Sequence, residues 1–259
     1  DLLFVGLSVN SYRQQLQTGI EQKIVYGNVN RKGNAANASI RYRKSNVFTH
    51  GLHINLFATR GTDKSVITDT TFYLYAWDGS RTQTSKSEMG TIKSINHIIR
   101  PRSFARFNIS YDLNDNHSFN LNYTFDHLEN RTYNEIIEPE DDIPSFLVKQ
   151  VGGAAYQQTL LDKRLVNTFF GKFYGIGIEQ SRVLRFDTDG SVLYERKKDF
   201  LRNYGYGMAS RYKILPDLGV KASFEKSYRL QEAEEMFGNG YTTVPNLDLA
   251  PEGSNNFNV

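Results

Sequence analysis

The sequence predicts an all-β fold, an antiparallel up-and-down transmembrane β-barrel, and three observations favour this fold. Apolar and polar residues alternate along many segments, as they do in strands with two unlike faces. Short and long connections between these segments follow one another in turn. The composition is polar for a chain of 259 residues, with 39% hydrophobic residues and a mean hydropathy of −0.52. A barrel accounts for this polarity because only its lipid-facing residues must be apolar.

Six segments show the alternation most clearly, and each is expected to be a strand with one apolar face. The alternating apolar positions are Ala36, Ala38, Ile40 and Tyr42; Leu52, Ile54, Leu56 and Ala58; Ala105, Phe107, Ile109 and Tyr111; Phe119, Leu121, Tyr123 and Phe125; Tyr204, Tyr206, Met208 and Tyr212; and Val220, Ala222, Phe224 and Tyr228. Charged residues between them are predicted on the opposite, lumen-facing side. These are Arg41, Arg43, Arg106, Arg211, Lys221 and Glu225.

The connections favour a barrel over a soluble sandwich. Short connections are predicted at residues 44–51, 113–117 and 214–219, where turn-forming residues cluster. Long ones are predicted at 61–96, 130–163, 175–203 and 229–253, the third holding its own hairpin at Asp187–Ser191. Outer-membrane barrels have short turns at the periplasmic end and long loops outside.

Composition and charge exclude several other classes. The chain has no cysteine, so thiolate metal sites and disulfides are absent. No run of about 18 apolar residues suggests a transmembrane helix. The formal net charge of +3 comes without a basic run interleaved with aromatics, so no nucleic-acid partner is expected. No signal peptide is visible, and the chain is expected to be an excised segment of a longer protein.

The last sixth of the chain carries the most specific motifs. A tyrosine-ended strand is followed by Arg-x-x-x-x-x-Glu-x-Phe-Gly at Arg229–Gly238 and by Asn-x-Asp-Leu-x-Pro-Glu-x-Ser at Asn246–Ser254. This order resembles the late-barrel signature of TonB-dependent outer-membrane receptors, and residues 39–79 look like barrel sequences from Bacteroidetes. Gln231 and Leu247 depart from the pattern, since proline is frequent at both positions.

The resemblance implies a fold and a role for the chain. Family barrels have 22 strands around an N-terminal plug, so residues 1–259 would form one partial barrel domain, about half of such a barrel, without the plug. The implied function is active uptake of a large, scarce solute (an iron chelate, a cobalamin or a glycan) across a bacterial outer membrane. The implied partners are outer-membrane lipid, the plug domain and TonB complex of the parent protein, and the solute.

Aromatic and arginine side chains in the long connections are the predicted ligand contacts, because they offer stacking and directed hydrogen bonds. They are Tyr73, Tyr75, Trp77, Arg131, Tyr133, Tyr156 and Tyr241.

Candidate catalytic and metal-binding features are weak. The acidic run Glu138–Asp142 is interpreted as a solvated loop tip rather than a site for a hard cation. Asp187–Gly190 lacks the bidentate glutamate of a calcium loop, and no nucleophile elbow occurs. We therefore expect no enzyme activity, no metal and no cofactor. Two alternatives stay open, a soluble or surface β-rich carbohydrate-binding module and, less favoured, an outer-membrane barrel enzyme.

Overall fold

A computed structural model describes residues 1–15, 29–76, 78–83, 85, 93–136, 144–186, 192–238, 246 and 248–259. For residues 74–75, 181–186 and 192–195 the description is of the backbone alone.

Almost every described residue belongs to a β-strand. The elements are β1 (Leu2–Gln15), β2 (Asn30–Ser45), β3 (Leu52–Asp69), β4 (Tyr73–Tyr75), β5 (Arg81–Gln83), β6 (Ser94–Asn114), β7 (His117–Asn134), β8 (Ser145–Leu160), β9 (Leu165–Phe186), β10 (Val192–Leu215), β11 (Leu218–Arg229), α1 (Ala233–Phe237) and β12 (Glu252–Asn258). Within the described part of the chain, no α-helix has both the length and the apolarity needed to cross a membrane.

Ten of the strands form one antiparallel sheet in the order β1-β2-β3-β6-β7-β8-β9-β10-β11-β12, and β4 pairs with β5 separately. Each strand of the large sheet therefore lies beside its neighbours in sequence, apart from the inserted hairpin, as the up-and-down prediction requires. Short connections follow β2, β6, β8 and β10, and they gather at one end of the sheet. We call this the short-turn end, and the opposite end the long-connection end.

The register gives the sheet two unlike faces, because paired residues on adjacent antiparallel strands point to the same side. One row runs through the partners Leu3, Tyr42, Leu56, Phe107, Tyr123, Gly152, Phe173 and Tyr204. We call this side the apolar face. On the opposite side, the polar face, a neighbouring row is Arg41, Phe57, Arg106, Thr124, Val151, Tyr174 and Asn203.

The predicted alternation is confirmed on nearly every strand. All six charged residues predicted on one side lie on the polar face, opposite the predicted apolar positions. Tyr228 is the exception, since its ring lies 5.8 Å from the ring of Tyr174, a buried residue of the polar face.

Burial is reversed relative to a water-soluble sheet. Large side chains of the apolar face are open to the surroundings, including Val5 at 65% exposure and Leu121 at 49%. Buried hydrophobic residues instead form two clusters on the polar face. The larger contains Leu147, Ile176, Ile178, Ala233, Met236 and Phe237, and the smaller contains Val29, Ile67 and Ile98.

Three predicted long connections are shorter than expected. The one predicted at 61–96 covers residues 70–93, because β3 continues to Asp69 and β6 begins at Ser94. Residues 145–160 form strand β8, so the predicted connection at 130–163 contains a full strand and a further short turn. The predicted connection at 175–203 is mostly strand, because β9 and β10 continue to Phe186 and from Val192. Their pairing brings Phe186 opposite Val192, which confirms a hairpin there. The turn itself and the acidic run at 138–142 lie outside the described residues.

Candidate functional site on the polar face

A segment that begins at the last residue of β11 lies against the polar face at the long-connection end of the sheet. We call residues 229–238 the docked segment. Its helix α1 places Met236 (0% exposed) and Phe237 in contact with the buried cluster of β8 and β9, which includes Leu147 and Ile176. A helix of five residues is far too short to be stable alone. Packing against the sheet must therefore hold α1 in its helical conformation.

Three ion pairs add to this apolar contact, one for each glutamate of the docked segment. Glu232 pairs with Lys149 of β8 at 2.7 Å, and Glu234 pairs with Arg100 of β6 at 3.0 Å. The side chains of Lys149 and Arg100 are only 14% and 16% exposed. Charges this far from water need partners, so these pairs fix the position of α1 across the strands.

The third glutamate, Glu235, joins Arg229 and Glu252 in a hydrogen-bonded network. Arg229 donates two hydrogen bonds to Glu235 (2.9 and 3.1 Å) and two to Glu252 of β12 (2.9 and 3.1 Å). Glu235 also accepts a hydrogen bond from the backbone N–H of Glu232 at 2.7 Å. Bidentate arginine–carboxylate geometry is directional, so Arg229 ties α1 to both ends of the connection between β11 and β12.

This network explains the sequence signature in physical terms. The arginine of the signature is Arg229, and its two glutamates are Glu235 and Glu252; we call these three hydrogen-bonded residues the clamp. The phenylalanine of the signature is the buried Phe237. Its glycine, Gly238, ends the helix with a φ of 69°, a conformation that favours glycine. Gln231, which stands where proline is frequent, is buried and donates a hydrogen bond to the carbonyl of Ala250. Leu247 lies outside the described residues.

Arg229 shifts the protonation of its partners. Its hydrogen bonds lower the pKa of Glu235 and the pKa of Glu252 below their ordinary values, and the glutamates, Glu252 first, raise the pKa of Arg229. A carboxyl group with a lowered pKa in the folded state stabilises that state above its ordinary pKa. The stabilisation disappears as pH falls through the lowered value, so the clamp should open in acid.

We predict that Arg229→Gln removes this acid sensitivity. In the wild-type protein, amide exchange of α1 should accelerate as pH falls below the ordinary pKa of glutamate, after correction for the intrinsic pH dependence of exchange. In the variant, exchange should be fast at neutral pH and change little in acid. Hydrogen–deuterium exchange of the intact protein measures both. The matched control is Arg211→Gln, an exposed arginine near the short-turn end of the polar face, which should behave as wild type. Equal protection of α1 in both variants would contradict the claim that Arg229 holds α1 in place.

A cavity of about 430 Å³ lies beside the docked segment. Asn37, Asp63, Arg100, Arg102, Glu232 and Glu234 supply its polar lining. Arg102 is held by Asp126 through two hydrogen bonds of 2.6 and 2.7 Å. Donors and acceptors thus converge where sheet and segment meet, an arrangement suited to hydrogen bonding with a polar solute.

The predicted ligand contacts do not gather at this cavity. Tyr73 and Tyr75 lie together on β4, where the guanidinium carbon of Arg81 stands 4.9 Å from the ring centre of Tyr73. Trp77 and Tyr241 lie outside the described residues.

The prediction that Arg131, Tyr133 and Tyr156 lie in a loop is wrong, because all three belong to strands. Arg131 and Tyr133 are on the apolar face of β7, where Arg131 contacts Glu129 at 2.6 Å and Tyr133 stacks on His97 with ring centres 4.6 Å apart. Tyr156 is on β8 near the short-turn end, far from the long connections, and its hydroxyl hydrogen-bonds Nδ1 of His117 at 2.7 Å. The central residues of β8 are small on both faces, so its sequence does not show the alternation that indicates a strand.

Sequence reasoning missed the residues that hold the docked segment. Arg100 and Lys149 face α1 only because β6, β7 and β8 are neighbours, while Glu234 follows much later in the chain. The one available signal was the adjacent pair Glu234 and Glu235. Adjacent helical residues point in different directions, and these two do bind different strands.

Comparison with known proteins shows a structural likeness. No protein-family model matches the chain, and no curated protein matches it. Among solved structures, the chain is similar to a double mutant of the Serratia marcescens hemophore receptor HasR in complex with its hemophore HasA and heme, with a TM-score of 0.50 and 14% sequence identity. The match covers 98% of this chain and 39% of that receptor chain.

The fold and its two faces define a class of structure, an antiparallel up-and-down β-sheet of the barrel-wall type. The particular fold it matches is that of the hemophore receptor HasR, and at 14% identity the likeness concerns the fold alone.

Proposed function

We propose that this chain forms part of the barrel wall of a TonB-dependent transporter in a bacterial outer membrane, where it takes part in the active uptake of a large, scarce solute. The carrying observation is the apolar face that runs without interruption across the paired strands from Leu3 to Tyr204. Such a face is stable against lipid and unfavourable against water.

The height of this face supports the proposal. On β7 the apolar positions run from Phe119 to Phe125, and His127, Glu129 and Arg131 follow on the same side. Strands rise about 3.3 Å per residue and tilt in barrels, so roughly ten residues cross the apolar layer. Tyr156 and His117, hydrogen-bonded at the short-turn end, suit the interface where aromatic rings meet water.

The polar face supports a transport role. It carries Arg41, Arg43 and Arg106 at the height of the apolar layer and the docked segment towards the long-connection end. In a barrel this face lines the lumen, so the charged groups and the 430 Å³ cavity would meet a plug or a passing solute. We propose no catalytic activity for it.

The finer parts of the proposal follow from the sequence signature. They are a barrel of which this chain is about half, a plug and a TonB complex as partners, and an origin in Bacteroidetes. The solute class is an iron chelate, a cobalamin or a glycan, and heme belongs among the candidates because the HasR structure contains it. Tyr73, Tyr75, Trp77 and Tyr241 remain proposed ligand contacts. Arg131, Tyr133 and Tyr156 lie on the apolar face and fit a lipid interface better.

A soluble carbohydrate-binding module is the alternative class. It would leave the apolar face in water, and exposed patches on soluble monomers are usually only a few hundred Å² in area. Behaviour without detergent separates the two classes, because the barrel wall needs detergent or lipid to stay dispersed.

Uptake measurements test the proposed function. A strain lacking the intact protein and a strain lacking TonB should both lose uptake of the same labelled solute from a panel of iron chelates, heme, cobalamin and oligosaccharides. Restoring the gene should restore uptake in the first strain only. Unchanged uptake of every compound after deletion would overturn the transport role.

A further inference from the structure

Two cations of the polar face are paired with carboxylates that the sheet itself does not supply. Lys149 of β8 pairs with Glu232 at 2.7 Å, and Arg100 of β6 pairs with Glu234 at 3.0 Å. The side chains of Lys149 and Arg100 are 14% and 16% exposed, whereas those of Glu232 and Glu234 are 65% and 63% exposed. The cations therefore belong to the wall, and the carboxylates reach them from the solvent side.

The sheet orients Arg100 independently of the docked segment. Its Nε donates a hydrogen bond of 3.0 Å to the side-chain oxygen of Asn130, a buried residue that in turn donates to Thr132. The terminal nitrogens of the guanidinium are then directed at Glu234 and at the carbonyl oxygen of Gly238. A guanidinium that is already held in place loses little freedom when it binds a carboxylate.

Positive charge exceeds negative charge on this part of the wall. Three cations of the polar face stand here: Arg100, Arg102 and Lys149. The acids opposite them in the register are two, Asp63 beside Arg100 and Asp126 beside Lys149. Asp126 accepts both of its hydrogen bonds from Arg102, and Asp63 is exposed and forms no ion pair within the described part of the chain. The excess cation is neutralised by the glutamates of the docked segment.

The cavity of about 430 Å³ opens directly beside these ion pairs. Arg100, Glu232 and Glu234 all line it, together with Asn37 and Asp63. Its volume falls in the range of small-molecule sites. Because the two glutamate side chains are mostly exposed, they can turn away without any movement of the sheet. A solute in the cavity would then reach the same cationic groups that the glutamates now contact.

We propose that Glu232 and Glu234 are internal ligands of a carboxylate-binding site, and that a solute with two or more carboxylates replaces them on Arg100 and Lys149. The inference rests on the proposed transport function and names the chemistry of the solute. Arginine binds carboxylates through strong, charge-assisted hydrogen bonds. Once its glutamates are released, the docked segment is held only by its apolar contact and the clamp. Binding of the solute therefore loosens α1, because a ligand shifts the protein towards the state that it binds better.

Calorimetric titration of the intact protein in detergent micelles with tricarballylate, a simple tricarboxylate, tests the site. The variant R100Q/K149Q should bind on the order of 100-fold more weakly than wild type, since two charged hydrogen-bond donors are lost. The matched control R41Q/R43Q removes the same charge nearer the short-turn end of the polar face and should bind as wild type does. The variant E232Q/E234Q should bind roughly tenfold more tightly, because its internal competitor is removed.

Hydrogen–deuterium exchange adds a second measurement. Saturating tricarballylate should accelerate amide exchange of α1 in the wild-type protein and leave β9 unchanged, and its trimethyl ester should have no effect. Three results would each overturn the inference. These are equal affinity of wild type and R100Q/K149Q, weaker or absent binding by E232Q/E234Q, and equal affinity for the trimethyl ester.

The uptake measurements report the proposed function separately. A protein that supports TonB-dependent uptake but binds no carboxylate overturns this inference alone. A protein that binds tricarballylate as predicted, in a strain whose uptake of every compound is unchanged by deletion, keeps the site and overturns the transport role.

Discussion

Replacing Met236 with aspartate will detach the docked segment from the sheet. Met236 is fully buried against Leu147 and Ile176, where a carboxylate would lose its hydration. Loss of a buried methionine side chain alone costs about 2–5 kcal/mol, and burial of an unpaired charge adds to that. Because α1 is too short to persist alone, we expect it to unfold locally rather than tolerate the substitution.

Hydrogen–deuterium exchange of the intact protein measures this effect. Amides of α1 should exchange hundreds of times faster in Met236→Asp, while β9 and β10 stay protected. The control is Met236→Leu, which keeps volume and apolarity and should cost less than about 1.5 kcal/mol. In the same preparations, solute uptake should fall with the aspartate variant if the docked segment shapes the lumen. Unaltered α1 protection in Met236→Asp would show that the packing does not hold this segment.

An arginine on β7 will be tolerated or not according to the face on which it stands. Leu121 is on the apolar face, 49% exposed, and midway between Phe119 and Tyr123. Its neighbour Asn120 is also exposed and lies on the polar face. An arginine facing lipid near the bilayer midplane destabilises a barrel by about 2–4 kcal/mol, whereas lumen positions accept charge.

We therefore expect Leu121→Arg to lower the free energy of folding into phospholipid vesicles by about 2–4 kcal/mol. Asn120→Arg, with the same added charge one residue away, should change it by less than about 0.5 kcal/mol. Denaturant titration of the intact protein in vesicles gives both values. Similar destabilisation by the two variants would mean that both faces meet the same medium, and the assignment of faces would fail.

Individual strands could be predicted from the sequence where the residues of the two faces differ in size and polarity. On β6 and β7, large apolar residues such as Phe107 and Tyr123 alternate with polar ones, and the period of two is unambiguous. On β8 the residues Gly152, Gly153, Ala154 and Ala155 are small on both faces. Alternation cannot be seen there, although large neighbours such as Phe173 cover the apolar side. The sequence therefore predicts a long connection where strand β8 lies.

The candidate site could not be predicted because its contacts are distant in sequence. The motif at Arg229–Gly238 suggested a family, but not why its residues occur together. Arg229 reaches Glu235 within the segment and Glu252 beyond it, while Arg100 and Lys149 come from strands formed much earlier in the chain. Only the register of the sheet places these groups around α1.

Alternating accessibility along β7 tests the central claim most directly. The chain has no cysteine, so single cysteines at positions 119–124 can be introduced into the intact protein and reconstituted in vesicles. We predict that positions 119, 121 and 123 resist a water-soluble thiol reagent and react with a lipid-soluble one. Positions 120, 122 and 124 should show the opposite preference. Equal reaction of all six positions with the water-soluble reagent would contradict a lipid-facing apolar face.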